Sequence, residues 1–105
     1  MKLSREDIDR RLQELNNGWT LDGDAIRKQF TFAGFPEAVA FVDRLVSGAE
    51  AADHHPDIDI RWRTVTFTLS THSEGGLTEK DFALAGQIDD AVTRVVAQQI
   101  DEPGE

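Results

Sequence analysis

Residues 57–69, DIDIRWRTVTFTL, alternate apolar and polar side chains, and the phase of this alternation reverses within the stretch. The apolar side chains stand at even positions up to Trp62 and at odd positions from Val65 onward. Two antiparallel strands joined by a two-residue turn at Arg63-Thr64 explain the reversal, because that turn pairs Trp62 with Val65 on one face. The other apolar pairs in this register are Ile60 with Phe67 and Ile58 with Leu69. The stretch therefore predicts a β-hairpin with one apolar face.

Upstream of this hairpin, the sequence predicts a helix, another hairpin and a second helix. Ser4 followed by Asp7 resembles a capping box, which favours a short first helix. Asp22-Gly23 is a favoured tight-turn pair between two alternating segments, so it predicts a hairpin. Pro36 suits the first turn of the second helix. The buried stripe of that helix is composed of Ala38, Phe41, Val42, Leu45, Ala49 and Ala52.

The element order predicts an α+β fold. Pro56 disfavours helical geometry just before it, so the second helix should end near Asp53 or His54, and Thr78 begins the last helix. The order α-β-β-α-β-β-α, with one apolar face per strand, predicts three helices packed on one face of a four-stranded antiparallel sheet. Trp19 and Trp62 lie on apolar strand faces, which predicts core positions for both indole rings. The last five residues, DEPGE, are expected to fray.

Composition limits the chemistry and the partners of the chain. Its 105 residues predict one domain, residues 1–105. With 20 acidic and 11 basic side chains, the net charge of -9 disfavours direct nucleic acid or membrane binding. The absence of cysteine excludes disulfides and thiolate catalysis. Without a signal-peptide pattern or a run of membrane-spanning length, the sequence predicts a cytoplasmic protein.

The three histidines of the chain are predicted to lie close together. Extending the register of the 57–69 hairpin backwards puts His55 roughly opposite His72. Glu50 precedes His54 by four residues, the helical spacing at which side chains meet, so its carboxylate is expected to orient or charge that imidazole. Nearby acidic residues favour imidazolium, which can donate a proton near neutral pH. The cluster therefore predicts proton-transfer chemistry.

Other interpretations of the same residues stay open at this point. An adjacent His-His pair also occurs in polar loops that have no chemistry. Asp81 stands three residues after Thr78, so it fits the capping-box position of the last helix without any catalytic role. A carboxylate-histidine cluster suited to zinc or iron is a further alternative, although adjacent histidines usually point in different directions. Its ligands would be Glu50, His54, His55 and His72.

The spacing of these residues resembles the pterin-4a-carbinolamine dehydratase family. The family pattern is an acidic residue, His-His-Pro after three positions, an aromatic residue, a histidine after nine more and an aspartate after eight. Its elements stand here at Glu50, His54-His55-Pro56, Trp62, His72 and Asp81. Further similar segments are GW at 18–19, DAIRKQFTF at 24–32, TLSTH at 68–72 and GLTEKDFALA at 76–85. The resemblance extends from Gly18 to about Val92.

The resemblance implies an enzyme that dehydrates 4a-hydroxytetrahydropterin to quinonoid dihydropterin, which recycles the pterin after aromatic amino acid hydroxylation. It implies that no metal and no cofactor is used, because the pterin is the substrate. It assigns His54 and His72 as general acid/base groups and His55 mainly to holding the pterin, with Glu50 tuning His54. Asp81 is a further catalytic candidate. The implied substrate-binding residues are Asp53, His54, His55, Pro56, Ser70, Thr71, His72, Ser73 and Glu74.

The resemblance also bears on partners. It implies a homodimer or homotetramer and functional coupling to an aromatic amino acid hydroxylase. Some animal members bind a homeodomain transcription factor as a coactivator, so a noncatalytic protein-binding module on the same fold is the leading alternative function. Ile58 and Asp59 stand where many relatives have aromatic residues, which predicts a different wall of the pterin pocket.

Overall fold

The structure, a computed structural model, describes residues 1–15 and 18–101, with side chains up to residue 95. The expected fraying of the C-terminal tail therefore lies outside the described residues, except at Asp101. The elements in chain order are α1 (Arg5–Glu14), β1 (Thr20–Asp22), β2 (Ala25–Thr31), α2 (Phe35–Ala52), β3 (Asp57–Arg61), β4 (Thr64–Leu69), a short 3-10 helix (His72–Glu74) and α3 (Glu79–Asp101). The sheet is antiparallel with strand order β1-β2-β4-β3. The predicted α+β order is confirmed.

The predicted helix boundaries follow local capping chemistry. The Ser4 hydroxyl accepts a hydrogen bond from the Asp7 backbone N–H at 3.1 Å, which caps α1. At the other end of the domain, the Thr78 backbone N–H donates to the Asp81 carboxylate at 2.9 Å, as a capping box requires for α3. Pro36 lies in the first turn of α2, where its missing N–H costs no hydrogen bond.

The turn of the second hairpin differs from the prediction by one residue. It lies at Trp62-Arg63, so that Ile60 pairs with Val65 and Ile58 with Phe67. Because the pairing shifts by two residues, the apolar side chains keep the predicted face. The prediction that Trp62 is a core residue is wrong: it occupies the turn with φ of 57° and its side chain is 69% exposed.

The observed register allows β4 to pair with β2 and β3 along the same residues. Thr64 pairs with Thr31 of β2 and with Arg61 of β3 at the same time, because β4 lies between those two strands. In the predicted register Thr64 would belong to the turn and would lose its place in the ladder with β3. Arg63 adds a further link, since its carbonyl accepts the Phe32 N–H at 2.9 Å.

The core lies between the helices and the two central strands. Ile26 of β2 and the apolar side chains of β4, Val65, Phe67 and Leu69, are fully buried. They form one cluster with residues of α2 and α3, among them Ala38, Phe41, Ala85 and Ile88. Trp19 is buried in the same cluster, as predicted. No helix within the described ranges is long and apolar enough to cross a membrane.

Candidate active site

The end of α2 directs His54 into the protein. Asp53 adopts a left-handed conformation, with φ of 51°, directly after the helix. The backbone N–H groups of Asp53 and His54 then donate to the carbonyls of Glu50 and Ala49, each at 3.1 Å. This is the Schellman arrangement that ends many helices. It reverses the chain direction, and the His54 side chain, only 8% exposed, reaches α3.

Asp81 is the partner of His54. Its carboxylate is fully buried in the first turn of α3, and Oδ1 lies 2.6 Å from Nε2 of His54. Oδ2 accepts two further hydrogen bonds, from the Thr78 backbone N–H and from the Thr71 hydroxyl at 2.8 Å. Capping and contact with the histidine were alternative interpretations of Asp81. The structure shows both, because the two carboxylate oxygens serve different partners.

The hydrogen bond to Asp81 distinguishes the two ring nitrogens of His54. A carboxylate with donors on both oxygens is an acceptor, so Nε2 carries the proton of the 2.6 Å bond. Nδ1 has no hydrogen-bond partner among residues 1–15 and 18–95. Every fully buried side-chain nitrogen or oxygen in that part of the chain has one, so Nδ1 is not fully enclosed by the protein. It is therefore the atom through which His54 can exchange a proton with a ligand.

Glu50 contacts His55 and not His54. Its Oε2 lies 2.6 Å from Nε2 of His55, and both side chains are more than half exposed. The predicted helical contact with His54 is wrong because α2 ends at Ala52, so the i,i+4 geometry does not extend to residue 54. The left-handed turn at Asp53 sends the two adjacent imidazoles to different acidic partners.

His72 opens the short 3-10 helix and is exposed. The observed hairpin register, extended beyond Asp57, brings His55 level with Ser70, so the prediction that His55 faces His72 is wrong by two residues. Within the described residues, no hydrogen bond joins two of the three imidazoles. The loop carrying His72 is closed by paired backbone hydrogen bonds between Thr71 and Gly76, at 3.0 and 3.3 Å.

The other predicted substrate-binding residues divide between two cavities. Ser73 and Glu74 line a cavity of about 380 Å³ together with Thr71, Thr78 and the N-terminal segment. Pro56 lines a separate, smaller apolar cavity of about 150 Å³, together with His55, Glu50 and apolar side chains of α2. The Ser70 hydroxyl instead donates to the Asp24 carbonyl at 2.8 Å, which ties β4 to the first hairpin. The Asp53 side chain is exposed at the end of α2.

The structure does not bring together the side chains proposed as metal ligands. Across the part of the chain that the structure describes, no group of three histidine, aspartate or glutamate side chains is placed to hold a metal ion. Of the ligands suggested from the sequence, His54 turns to Asp81, whereas His55 turns to Glu50. The four side chains are therefore not assembled around one point.

Sequence patterns alone did not reveal the hydroxyl pair behind Asp81. The Thr71 and Thr78 hydroxyl oxygens are 2.8 Å apart, and both residues are buried. The only local signal is the capping-box spacing of Thr78 and Asp81, which says nothing about Thr71. The contact between His54 and Asp81 likewise spans 27 residues and has no signature in the periodicity of either helix.

Comparison with known proteins identifies similar sequences and similar folds. The sequence profile of the family described as pterin 4 alpha carbinolamine dehydratase matches residues 1–91. A protein of Roseiflexus sp. (strain RS-1) is 57% identical over 89 residues, which are 85% of this chain and 95% of that protein. A protein of Nocardia farcinica is 59% identical over 88 residues, 84% of this chain and 92% of that one. Both are provisionally named pterin-4-alpha-carbinolamine dehydratases.

Two solved structures share the fold. The transcriptional coactivator/pterin dehydratase from Brucella melitensis has a TM-score of 0.81 and 34% identity, covering 87% of this chain and 98% of that one. A pterin dehydratase-like protein, identified as a RuBisCO assembly factor in the alpha-carboxysome, has a TM-score of 0.60 and 26% identity. That match covers 72% of this chain and 90% of the other.

Proposed function

Since this chain belongs to the pterin 4 alpha carbinolamine dehydratase family, we propose that it dehydrates a 4a-hydroxytetrahydropterin to quinonoid dihydropterin and water by histidine acid/base catalysis. The observation that carries the proposal is the ring of His54, held at Nε2 by the buried Asp81 carboxylate, while Nδ1 has no hydrogen-bond partner among the described residues. This is how a side chain must be presented to exchange a proton with a bound substrate. The substrate would come from enzymes that hydroxylate aromatic amino acids.

The proposed reaction needs one acid and one base. Hydroxide is a poor leaving group, so the bond between C4a and the hydroxyl oxygen breaks more easily when that oxygen receives a proton. His54, protonated at Nδ1, donates this proton and the oxygen leaves as water. His72 takes the proton from N5, and the electron pair of the N5–H bond forms the new double bond between N5 and C4a.

Asp81 acts through His54 in this scheme. Its carboxylate keeps the proton of His54 on Nε2 and holds the plane of the ring, so that Nδ1 is the only nitrogen available to the substrate. Glu50 has the corresponding role for His55, because its carboxylate accepts a hydrogen bond from Nε2 of that ring. From the resemblance we assign His55, Pro56 and residues 72–74 to holding the pterin, with exposed Asp53 at the edge of the site. Thr71 is left out because its hydroxyl binds Asp81. Ser70 is left out because its hydroxyl is bound to Asp24.

The direct test is an activity assay. An aromatic amino acid hydroxylase generates the 4a-hydroxytetrahydropterin, and its absorbance decay is followed with and without this protein. A faster decay than the spontaneous reaction is expected. Equal rates at micromolar protein would overturn the proposal.

Catalysis by side chains alone predicts insensitivity to chelation. After dialysis against EDTA, the protein is expected to keep its full rate in the decay assay, because the proposed proton transfers use imidazole nitrogens. The measurement compares the dialysed protein with protein resupplied with Zn²⁺ or Fe²⁺. A loss of activity on dialysis, restored by one of these metals, contradicts the prediction and supports the metal alternative.

Exposed apolar side chains on α2 and on the edge strand β3 support the proposal that the protein is a homo-oligomer. α2 exposes Phe35, Val39 and Val46, and the adjacent edge strand β3 exposes Ile58 and Ile60. Exposed apolar patches of this kind mark association surfaces, and an open strand edge can pair with a second copy.

Val46→Asp is therefore expected to lower the mass in solution to that of the 11.7 kDa monomer, because it places a charge in the apolar surface. The measurement is sedimentation or light scattering at several concentrations. Gln29→Glu, which adds the same charge on an exposed position of β2, is the matched control and should leave the mass unchanged. A wild-type protein that is monomeric at all concentrations would contradict the proposal.

Protein binding without catalysis is the second candidate function. It is supported by the same apolar surface and by the two solved structures, one described as a transcriptional coactivator/pterin dehydratase and the other as a RuBisCO assembly factor. The decay assay separates the candidates, because a noncatalytic binding module would leave the spontaneous rate unchanged.

A further inference from the structure

A chain of hydrogen bonds runs behind the Asp81 carboxylate. Thr78 Oγ1 lies 2.8 Å from Thr71 Oγ1, and the Thr71 hydroxyl donates to Asp81 Oδ2 at 2.8 Å. On its other side, Asp81 binds His54 at 2.6 Å. All four side chains are buried, so no water competes freely for these bonds.

The donor and the acceptor of every hydrogen bond in this series can be assigned. A threonine hydroxyl has one proton, and Thr71 uses its proton on the carboxylate, which can only accept. The oxygen of Thr71 must then accept the proton of the Thr78 hydroxyl. The oxygen of Thr78 accepts in turn from the Lys80 backbone N–H at 3.2 Å. All donors therefore point toward Asp81, an arrangement in which each bond polarises the next.

Helix capping does not account for Thr71. The cap of α3 consists of the Thr78 backbone N–H on Asp81 and the Lys80 N–H on the Thr78 hydroxyl. Both bonds would persist if the Thr71 hydroxyl were removed. What the hydroxyl adds is a second donor on Oδ2, which fixes the rotation of the carboxylate and hence the position of Oδ1 against His54.

Thr71 also sets the position of the next residue, His72. Its backbone N–H and carbonyl pair with Gly76 on both sides, and its carbonyl accepts the Glu74 N–H at 2.9 Å. Thr71 thus holds the start of the His72 loop through its backbone, and it holds Asp81, the partner of His54, through its side chain.

We propose that Thr71, supported by Thr78, is a positioning residue that links the two imidazoles by locking Asp81 against Nε2 of His54 while anchoring the loop of His72. This inference rests on the proposed dehydratase function for its consequence on catalysis. Its structural part, the Nε2–H form of His54, is measurable without any activity. The resemblance implied only that Thr71 lines the substrate site, whereas its hydroxyl here faces the carboxylate.

The test compares Thr71→Val, which keeps the shape but removes the hydroxyl, with Thr71→Ser, which restores it. ¹⁵N NMR of the assigned His54 ring is expected to show the Nε2–H tautomer in the wild type, with a slowly exchanging proton. In Thr71→Val the proton should exchange faster and the tautomers should mix, and Thr71→Ser should restore the wild-type spectrum. Thr78→Val should give a smaller change in the same direction.

The kinetic consequence is a selective loss of turnover. Thr71→Val is expected to lower kcat by roughly 10- to 100-fold with KM changed less than about 2-fold, because displacement of reacting groups affects the chemical step. Thr71→Ser should recover most of the rate. Thr93→Val, an exposed threonine of α3 that binds only its own helix backbone, is the matched control and should leave spectrum and rate unchanged.

Two results would overturn the inference. One is a wild-type His54 ring protonated on Nδ1 and not on Nε2, which needs no variant to fold. The other is a folded Thr71→Val protein whose His54 spectrum and kcat both equal those of the wild type. A wild type without dehydratase activity whose His54 spectrum still responds to Thr71→Val would instead refute the proposed function and leave the linkage standing.

Discussion

Replacement of His54 by alanine is expected to lower kcat of the dehydration by roughly 10²- to 10⁴-fold, the usual contribution of a positioned acid/base group. The reason is that His54 is the one imidazole held by a buried carboxylate, while its other nitrogen has no hydrogen-bond partner among the described residues. The measurement is the decay of the 4a-hydroxytetrahydropterin at saturating substrate, compared with the spontaneous rate.

His55→Ala is the matched control for this prediction. The two histidines are adjacent, but His55 is more than half exposed and pairs with the exposed Glu50. We therefore expect its loss to raise KM more than it lowers kcat, as for a group that only holds the substrate. A His54→Ala protein with wild-type kcat would show that the role assignment is wrong, even if the activity itself is present.

Asp89→Ala is expected to destabilise the fold by about 1–3 kcal/mol, the cost of leaving partly buried hydrogen-bonding groups without their partner. Asp89 of α3 lies 2.8 Å from Nζ of Lys28, the one charged side chain on the helix-covered face of β2, and both are less than a fifth exposed. Its other oxygen accepts the Trp19 indole N–H at 3.0 Å. The substitution therefore leaves a partly buried ammonium and the Trp19 indole N–H without this acceptor.

Urea unfolding of the Asp89→Ala protein measures this effect as a lower midpoint at unchanged m-value. Asp90→Ala, its exposed neighbour on α3, is the control and should change the free energy of unfolding by less than about 0.5 kcal/mol. Adding Lys28→Met to Asp89→Ala should recover part of the loss, because it removes the uncompensated charge. If Asp89→Ala unfolds at the wild-type midpoint, the pair contributes nothing to stability.

The sheet shows which features of the fold an alternation pattern predicts and which it does not. The reversal of phase in residues 57–69 correctly predicted two strands with their apolar residues on one face, although the turn lies one residue earlier than expected. A shift of two in the pairing leaves every face unchanged, so the pattern is insensitive to it. In the observed register Thr64 pairs both with Arg61 of β3 and with Thr31 of β2, and Thr31 is 33 residues away in sequence, outside the reach of the alternation pattern.

In the candidate site, too, some features were predicted from the sequence and others were not. Capping of α3 by Asp81 followed from its spacing to Thr78, and the end of α2 followed from Pro56. The partners of the histidines did not follow, because Asp53 adopts a left-handed conformation that turns His54 away from Glu50, its expected partner. Glu50 consequently binds His55, and His54 is left for Asp81.

Element order, apolar faces and helix ends were readable from the chain because they depend on residues within one or two turns of each other. The Asp81–Thr71–Thr78 network was not, because it depends on where α2, β4 and α3 meet after packing. The exposure of Trp62 was not either, because it depends on the register between β3 and β4. A hydrogen bond between residues 27 positions apart leaves no local period. Only the packed fold brings the proton-bearing groups within hydrogen-bonding distance.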